Sequence, residues 1–191
     1  MSGQNGKHAV RGVLAGMGAG LAASWLMNVF MAGPGEKLNE SLKSQEEKIQ
    51  ERVDRIQQEQ TGGREPKEDA TMKAADAVVR AATGGRHLSF EGKQKAGPVV
   101  HYVFGALMGG LYGGLAEYSR AVRKGFGTAF GGAVFAGADL VAVPAFHLSP
   151  PLSATRPKAL ANPLAAHLVY GATTELLRRT QETHRPTGQA Y

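Results

Sequence analysis

The chain has 191 residues, a net charge of +6 and no cysteine. Without cysteine, disulfide bonds, thiolate catalysis and iron–sulfur ligation are excluded, and the length suits one domain. The positive excess lies beside apolar segments and forms no single patch, a distribution that does not favour nucleic acid as a partner.

Four apolar segments have lengths typical of membrane spans, which need about 20 residues each. No charged residue falls within 12–35 or within 96–116. The third segment contains Asp139, and the fourth includes Glu175 near its end. The predicted fold class is therefore all-α: an integral membrane four-helix bundle that forms a single membrane domain over 1–191. The predicted spans are residues 9–33, 96–117, 125–147 and 159–178.

Small residues recur every four positions along these spans, as in the run Gly12, Gly16, Gly20, Ser24 and Asn28. Residues four apart on a helix lie on one slowly winding ridge. Glycine on such a ridge lets two helix backbones approach closely in lipid. The glycines that we expect to pack the helices are Gly16, Gly20, Gly105, Gly109, Gly113, Gly127, Gly131 and Gly171.

A polar segment, 36–95, separates the first two spans and carries twelve basic and twelve acidic side chains. We predict a helical extramembrane insert here, with one helix over 36–60 and a second over 66–82 that begins near Pro66. Glycine pairs after each helix mark its end. The insert is interpreted either as a solvated helical hairpin or as a docking helix for self-association or a partner. The docking stripe would be Leu42, Ile49 and Ile56, with Val53 between them.

Lysine and arginine flank the span ends in the pattern of positive-inside anchoring. Placing these residues in the cytoplasm puts both termini inside, and the insert outside with the loop that holds Arg156 and Lys158. The first span is also compatible with a cleaved signal peptide, although its apolar run is longer than a usual signal core. The flanking residues are Lys7, Arg11, Arg120, Arg123, Lys124, Arg178, Arg179 and Arg185.

Four polar side chains within the spans extend the glycine ridges: Asn28, His101, Asp139 and His167. The helical rise of about 1.5 Å per residue places all four in the outer half of the bilayer. Such residues usually face the bundle interior, so we predict one polar cluster. It is interpreted as a hydrogen-bond network that only fixes packing, as a group that senses or conducts protons or ions, or as a metal ligand set.

Two acidic residues, Glu117 and Glu175, lie at the predicted cytoplasmic ends of their spans, on the side of the membrane opposite the polar cluster. Arginines follow Glu175 at the i+3 and i+4 positions, Arg178 and Arg179, and this spacing suits local ion pairs. These residues are either interfacial anchors or the inner end of a polar pathway. Within the third span, Pro144 removes a backbone hydrogen bond and is expected to kink the helix.

The glycine-rich runs do not follow a strand and so do not fit a nucleotide-binding loop. No motif for a nucleophile, a phosphate loop or a compact metal site is present. We therefore predict no enzymatic activity and no cofactor or resident metal, and keep a metal- or lipid-handling membrane enzyme only as a remote alternative.

From His101 onward the chain resembles the YagU-like family of bacterial inner-membrane proteins, a family without an assigned function. The resemblance covers about 80 residues in one order and similar spacing. It implies a multi-pass inner-membrane protein connected with acid tolerance, and no catalytic mechanism. The matching features are His101, Tyr112, Glu117, the glycine-rich start of the third span, Pro144, Pro150-Pro151, His167, and Glu175 followed by Arg178-Arg179.

We therefore predict a multi-pass protein of the bacterial inner membrane, of stress or envelope type, with both termini cytoplasmic. Its buried His/Asp cluster would sense or conduct protons or ions. The alternative is a structural or assembly protein whose polar residues serve only helix packing. The expected partners are the lipid bilayer and, through the 36–60 helix, a second copy or another protein; we expect no nucleic acid.

Overall fold

The computed structural model describes residues 2–60 and 68–183, with side chains for 9–57 and 68–181. All regular structure within these residues is helical, and none of it is strand. A π-helical segment, Ala136–Ala142, joins α6 to α7, and short 3-10 turns occupy the connections. Pro66, Arg185 and the Lys7 side chain lie outside this description. The α-helices are α1 Ser2–Ala32, α2 Pro34–Leu42, α3 Gln45–Gln60, α4 Ala70–Thr83, α5 Phe90–Tyr118, α6 Thr128–Phe135, α7 Val143–Ala145 and α8 Ala161–Thr183.

Three helical stretches are long and apolar enough to cross a membrane: Ala9–Ala32, Phe90–Tyr118 and Arg120–Ala145. They correspond to the first three predicted spans. The fourth predicted span lies in α8, which is not among them. Membrane association therefore rests on three apolar helices.

α1 and α5 pack antiparallel through their glycines. A Cβ atom added to Gly16 would overlap the carbonyl oxygen of Gly109, and one added to Gly109 would lie 2.7 Å from the Cα of Gly20. Further along, a Cβ on Gly113 would overlap the carbonyl oxygen of Gly12. The two backbones are thus in direct contact, which side chains larger than hydrogen would prevent.

A second glycine contact joins α8 to the start of α6. Added Cβ atoms on Gly127 and Gly131 would overlap carbonyl oxygens of Gly171 and His167. Gly127 also has a φ of 83°, a left-handed conformation that glycine adopts without steric cost. The two helices run antiparallel, because Gly131, the later of the two glycines, contacts His167, the earlier of the two α8 residues.

α8 also packs against α1. The core between them consists of Ala23, Met27, Ala166 and Tyr170. Tyr170 donates a hydrogen bond of 2.6 Å to the carbonyl oxygen of Gly105 and so ties α8 to α5 as well. α8 therefore contacts all three of the apolar helices, although it is the least apolar of the four.

The insert differs from the prediction of one helix over 36–60. The helix breaks after Leu42, where Lys43 adopts an extended backbone. Ser44 then caps α3: its hydroxyl accepts from Glu47 N–H at 3.2 Å, and Ser44 N–H donates to the Glu47 carboxylate at 2.8 Å. This reciprocal capping box starts a new helix, and its Ser-x-x-Glu signature is visible in the sequence.

The second insert helix pairs with α5 instead of α3, which corrects the predicted hairpin. α4 begins after the cap Asp69 and ends at Gly84, whose φ is 71°. The chain then turns into α5, which is capped by Ser89 and begins at Phe90, six residues before the predicted start of the span. Met72 on α4 packs where a side chain at Gly97 would lie, 3.1 Å from its added Cβ.

Asp76 stabilises the turn between α4 and α5 through hydrogen bonds and an ion pair. Its carboxylate accepts from the His87 ring at 2.8 Å and from Leu88 N–H at 2.7 Å, and Lys93 Nζ lies 3.7 Å away. These contacts stabilise the charged form, the His87 bond most, and hold the pKa of Asp76 below its ordinary value.

We expect the contacts of Asp76 to stabilise the α4–α5 turn less at acid pH. The pKa of Asp76 is lower in the folded than in the unfolded chain. The stabilisation that ionised Asp76 gives to the α4–α5 turn is therefore complete above about pH 4, the ordinary Asp range, and is lost as the pH falls through the folded-state pKa. Hydrogen exchange in α4, relative to an unstructured reference, should therefore accelerate below pH 4. Asp76→Asn should exchange faster at neutral pH and lack the acid step, whereas Asp54→Asn on exposed α3 should match wild type. An identical pH profile in Asp76→Asn would contradict the assignment.

Candidate functional site

Three titratable side chains from three helical elements come together. His101 lies on α5, Asp139 in the π-helical segment and His167 on α8. Asp139 Oδ2 is 3.8 Å from His167 Nδ1, which allows electrostatic attraction but exceeds hydrogen-bond length. His101 interacts electrostatically with both. The structure thus unites three of the four residues proposed for the outer cluster, and we call them the His/Asp cluster.

The proton position on His167 follows from its neighbour. His167 Nδ1 lies 2.9 Å from the carbonyl oxygen of Pro163, one turn earlier in α8. A carbonyl only accepts, so Nδ1 carries hydrogen and Nε2 is the nitrogen that gains a proton. The ring is buried and packs at 5.6 Å against Phe135. His167 therefore presents a fixed tautomer beside the Asp139 carboxylate.

His101 contacts α1 and interacts electrostatically with the other two members of the cluster. Its ring lies edge-on to Tyr102 at 5.6 Å and against the backbone of Ser24. His101 Nε2 is buried and has no hydrogen-bond partner among the described residues, and the same holds for Ser24 Oγ. Buried polar atoms without partners are uncommon and mark sites of strain, chemistry or bound water.

Asn28 does not join the cluster. Its side chain is exposed, and its amide donates to the Tyr102 hydroxyl at 3.3 Å. The ridge winds around the helix by about 40° with each step of four residues. The stripe that faces α5 at Gly12 has therefore turned to the edge of that contact at Asn28, which meets Tyr102 of α5 and not His101.

Asp139 lies in an unusual stretch of backbone. From Ala136 to Ala142 the helix is π-helical, and Val143 N–H bonds to the carbonyl oxygen of Ala138, five residues back. Pro144 follows directly and cannot donate. π-Helical turns are rare and often occur at functional sites. The predicted kink at Pro144 is therefore a widened turn, and this turn carries the only charged residue of the third span.

A metal site is not formed by these side chains. Within residues 2–60 and 68–183, no three His, Asp or Glu side chains are arranged to hold one metal ion. The Pro163 contact already occupies one nitrogen of His167.

The predicted inner end contains a buried ion cluster around Glu175. Its carboxylate is 0% exposed and accepts from the Tyr112 hydroxyl at 2.8 Å. Arg178 Nε donates at 2.8 Å and Arg179 Nε at 2.6 Å, as the i+3 and i+4 spacings predict. Arg178 is itself only 3% exposed. The Glu175 carboxylate is therefore enclosed by helices, and it is neutralised within the protein by its two arginine neighbours.

Other groups lie at the same end of the bundle. The Glu117 Cγ atom would be 2.7 Å from a Cβ on Gly12, so this side chain crosses over α1. Arg179, half exposed, stacks 4.7 Å above the Phe126 ring in the connection between α5 and α6. The end of α8, the end of α5 and the start of α6 thus meet here.

The chain matches one known protein family. A family described as "Protein of unknown function (DUF1440)" matches residues 72–176, more than half of the chain. The chain belongs to this family. No curated protein and no solved structure matches the chain.

The family region contains the whole His/Asp cluster and, from the ion cluster, Tyr112 and Glu175. Arg178 and Arg179 fall just beyond it, and all of α1 precedes it. The family segment therefore supplies the titratable groups, whereas α1 supplies the helix surface on which α5 and α8 pack.

Two buried hydroxyl residues lie outside the predicted cluster residues. Tyr170 and Thr174 lie on the buried face of α8, and Thr174 donates to the Tyr170 carbonyl oxygen at 2.8 Å. Their spacing of three or four from His167 and from Arg178 was an available signal, because such residues share one helix face. Together these side chains give α8 a polar buried face.

Proposed function

We propose that this protein is a four-span inner-membrane protein whose His/Asp cluster responds to protons from the external side. The observation that carries the proposal is Asp139 in a π-helical turn, 3.8 Å from a histidine of fixed tautomer. Imidazole titrates between pH 5 and 8. The YagU-like resemblance supports the same direction, since it implies a connection with acid tolerance.

The fourth span is proposed to be α8. Polar side chains between His167 and Arg178 lower its mean hydropathy, and several of them are buried against the other helices. Leu164 and Leu176 are exposed on its outer side. A helix packed inside a bundle can carry polar groups that an isolated span cannot, since its partners satisfy them.

The proposed topology has an even number of crossings and both termini in the cytoplasm. It is supported by contacts at the two ends of the bundle. Glu47 of the insert forms an ion pair with Arg156 in the connection before α8, so the two proposed outer segments touch. At the other end the α5–α6 connection, with Arg120, Arg123 and Lys124, lies beside the end of α8. Reporter fusions after residue 60 and at the C-terminus would test this topology by giving opposite signals.

Protonation would act on the cluster through charge. With neutral histidines the described groups that face one another are one carboxylate and two imidazoles. Adding a proton to His167 Nε2 places a cation beside Asp139, and the attraction favours a closer contact than 3.8 Å. The widened turn at Ala136–Ala142 is the element that would adjust, because it carries Asp139 and because π-helical turns are rare interruptions of an α-helix that often occur at functional sites.

Asp139→Asn tests the proposal. In liposomes, wild type should support a proton flux that rises as the external pH falls from 8 to 5, and the variant should lose this pH dependence. The matched control is Asp76→Asn, which also removes a carboxylate beside a histidine but lies in the insert. A full pH response in Asp139→Asn, with normal insertion, would refute the proton role.

A second candidate function is assembly through α3. Ile49, Val53 and Ile56 are 61%, 39% and 53% exposed on one face of this helix, and α3 has no extensive packing against the described helices. Such an apolar stripe is typical of a helix that meets a partner. The partner is proposed to be a second copy or another membrane-associated protein.

Crosslinking distinguishes this second candidate. Full-length protein in membranes should yield dimers or a larger adduct, and Ile49→Asp should reduce the yield severalfold. Arg55→Asp introduces the same side chain on another face of α3, about 120° around the helix from Ile49, and should leave the yield unchanged. Only monomers in wild type, or equal effects of the two variants, would argue against docking through this stripe.

A further inference from the structure

Basic side chains are concentrated in the connection between α5 and α6. Arg120, Arg123 and Lys124 all lie there, and none of the three forms an ion pair with a residue that the structure describes. Arg120 and Arg123 are three residues apart in a 3-10 turn, and residues at this spacing are eclipsed in such a turn. Their side chains therefore leave the same face of the turn. We call Arg120, Arg123 and Lys124 the basic connection.

Few carboxylates lie at this end of the bundle. Glu175 already accepts from Arg178 and Arg179, and the Glu117 side chain crosses over Gly12 of α1. Basic side chains outnumber acidic ones here by six to two, so the described residues leave a positive surface. The six are Arg11, Arg120, Arg123, Lys124, Arg178 and Arg179, and the two are Glu117 and Glu175.

The basic connection lies at a membrane boundary. It follows the apolar stretch Phe90–Tyr118 and begins the stretch Arg120–Ala145, and both stretches are long and apolar enough to cross a membrane. Two aromatic rings flank the charges, since Tyr118 is 70% exposed and Phe126 is 40% exposed. Exposed aromatic rings at the end of a span lie at the level of the lipid headgroups. The cations beside them therefore reach the headgroup layer.

We propose that the basic connection binds the headgroup of an anionic phospholipid. Arg120 and Arg123 would donate to the phosphate oxygens, for which the guanidinium has a matching planar arrangement of donors, and Lys124 would add charge. The lipid is favoured over a soluble anion because the membrane holds its phosphates at the level of these side chains. The proposal rests on that part of the proposed function in which α5 and the following apolar stretch cross the bilayer. It does not depend on the His/Asp cluster.

Spin-labelled phospholipids test the proposal. Full-length protein would be reconstituted in phosphatidylcholine bilayers that contain a trace of labelled phosphatidylglycerol or labelled phosphatidylcholine. Electron paramagnetic resonance measures the fraction of label that the protein immobilises. Phosphatidylglycerol should associate severalfold more strongly, because each cation near an anionic lipid surface strengthens binding by roughly fivefold. Raising the salt from about 0.1 M to about 1 M should reduce this preference, since the Debye length falls from about 10 Å to about 3 Å.

Variants of the basic connection assign the preference to these residues. Arg120→Gln, Arg123→Gln and Lys124→Gln together should remove most of the preference for phosphatidylglycerol. Arg120→Lys with Arg123→Lys keeps the charge and should keep most of the preference. Retention in the lysine variant would show that the loss in the glutamine variant comes from charge and not from misfolding.

The matched control lies in the insert. Lys48→Gln, Arg52→Gln and Arg55→Gln together remove the same charge from α3 and should leave the preference as in wild type. Equal losses in the two glutamine variants, or equal association of both lipids with wild type, would overturn the proposal. Displacement of the labelled lipid by inorganic phosphate at constant ionic strength would overturn it too, in favour of a soluble anion. A protein that immobilises neither label would instead overturn the membrane placement of α5, so the two failures are distinguishable.

Discussion

Gly16→Leu is expected to abolish the packing of α1 on α5. A Cβ at this position overlaps the carbonyl oxygen of Gly109 and lies 3.0 Å from the Cα of Gly113. These are backbone atoms on a regular helix and cannot turn aside as a side chain can. We expect a loss of about 3 kcal/mol or more in unfolding free energy, at the upper end for overpacked cores. Denaturant titration in detergent micelles, followed by circular dichroism, would measure it.

Gly18→Leu is the matched control. An added Cβ on Gly18 has no atom within 4 Å, and the substitution makes the same chemical change two residues along the same helix. It should change stability by less than about 0.5 kcal/mol, as surface substitutions usually do. If both variants lost equal stability, the close contact at Gly16 would not be the cause, because leucine has the higher helix propensity at both positions.

Glu175→Ala is expected to have a comparable effect for an electrostatic reason. The substitution leaves Arg178, which is 3% exposed, without its closest carboxylate partner at 2.8 Å, and removes the acceptor of the Tyr112 hydroxyl. Breaking a buried ion pair from one side costs about 3–5 kcal/mol, because the remaining charge stays buried. Thermal unfolding in detergent should show a large decrease in midpoint.

The control for this prediction is Glu91→Ala. Glu91 pairs with Lys95 at 2.6 Å and at the i+4 spacing, as Glu175 does with Arg179, but both partners are about three-quarters exposed. Exposed pairs contribute at most about 1 kcal/mol. The double variant Glu175→Ala with Arg178→Met should recover part of the loss, since it removes the buried charge too. A small effect of Glu175→Ala would show that Arg178 reaches water or another partner.

Much of the helical architecture was predictable from local patterns. Charge-free runs located α1 and α5, because a span must exclude charge over its length. The glycine spacing identified the surfaces of closest approach, and Gly16 and Gly109 do lie in contact. Gly84 was predicted to end a helix and does so with a positive φ. In each case a few neighbouring residues decide the outcome.

Two helix boundaries were signalled by capping residues in the sequence, but the prediction followed the longer composition patterns around them. The break at Lys43 and Ser44 lies inside a run without glycine or proline, which favoured one continuous helix. Ser44 and Glu47 nevertheless form a capping box, whose two hydrogen bonds are worth more than the helix propensity of two residues. Ser89 likewise begins α5 earlier than the apolar run indicates, and the added turns pack against α4.

The sequence alone determined that this chain is helical, which segments are apolar, where glycine permits close contact and which titratable residues lie within the apolar segments. Only the tertiary structure decided which of those residues meet. It brought Asp139 to His167 through a π-helical turn, turned Asn28 outward to Tyr102 and enclosed Glu175 with Tyr112. Residue spacing defines a helix face but not the angle at which two helices cross, and that angle is set by packing along their whole length.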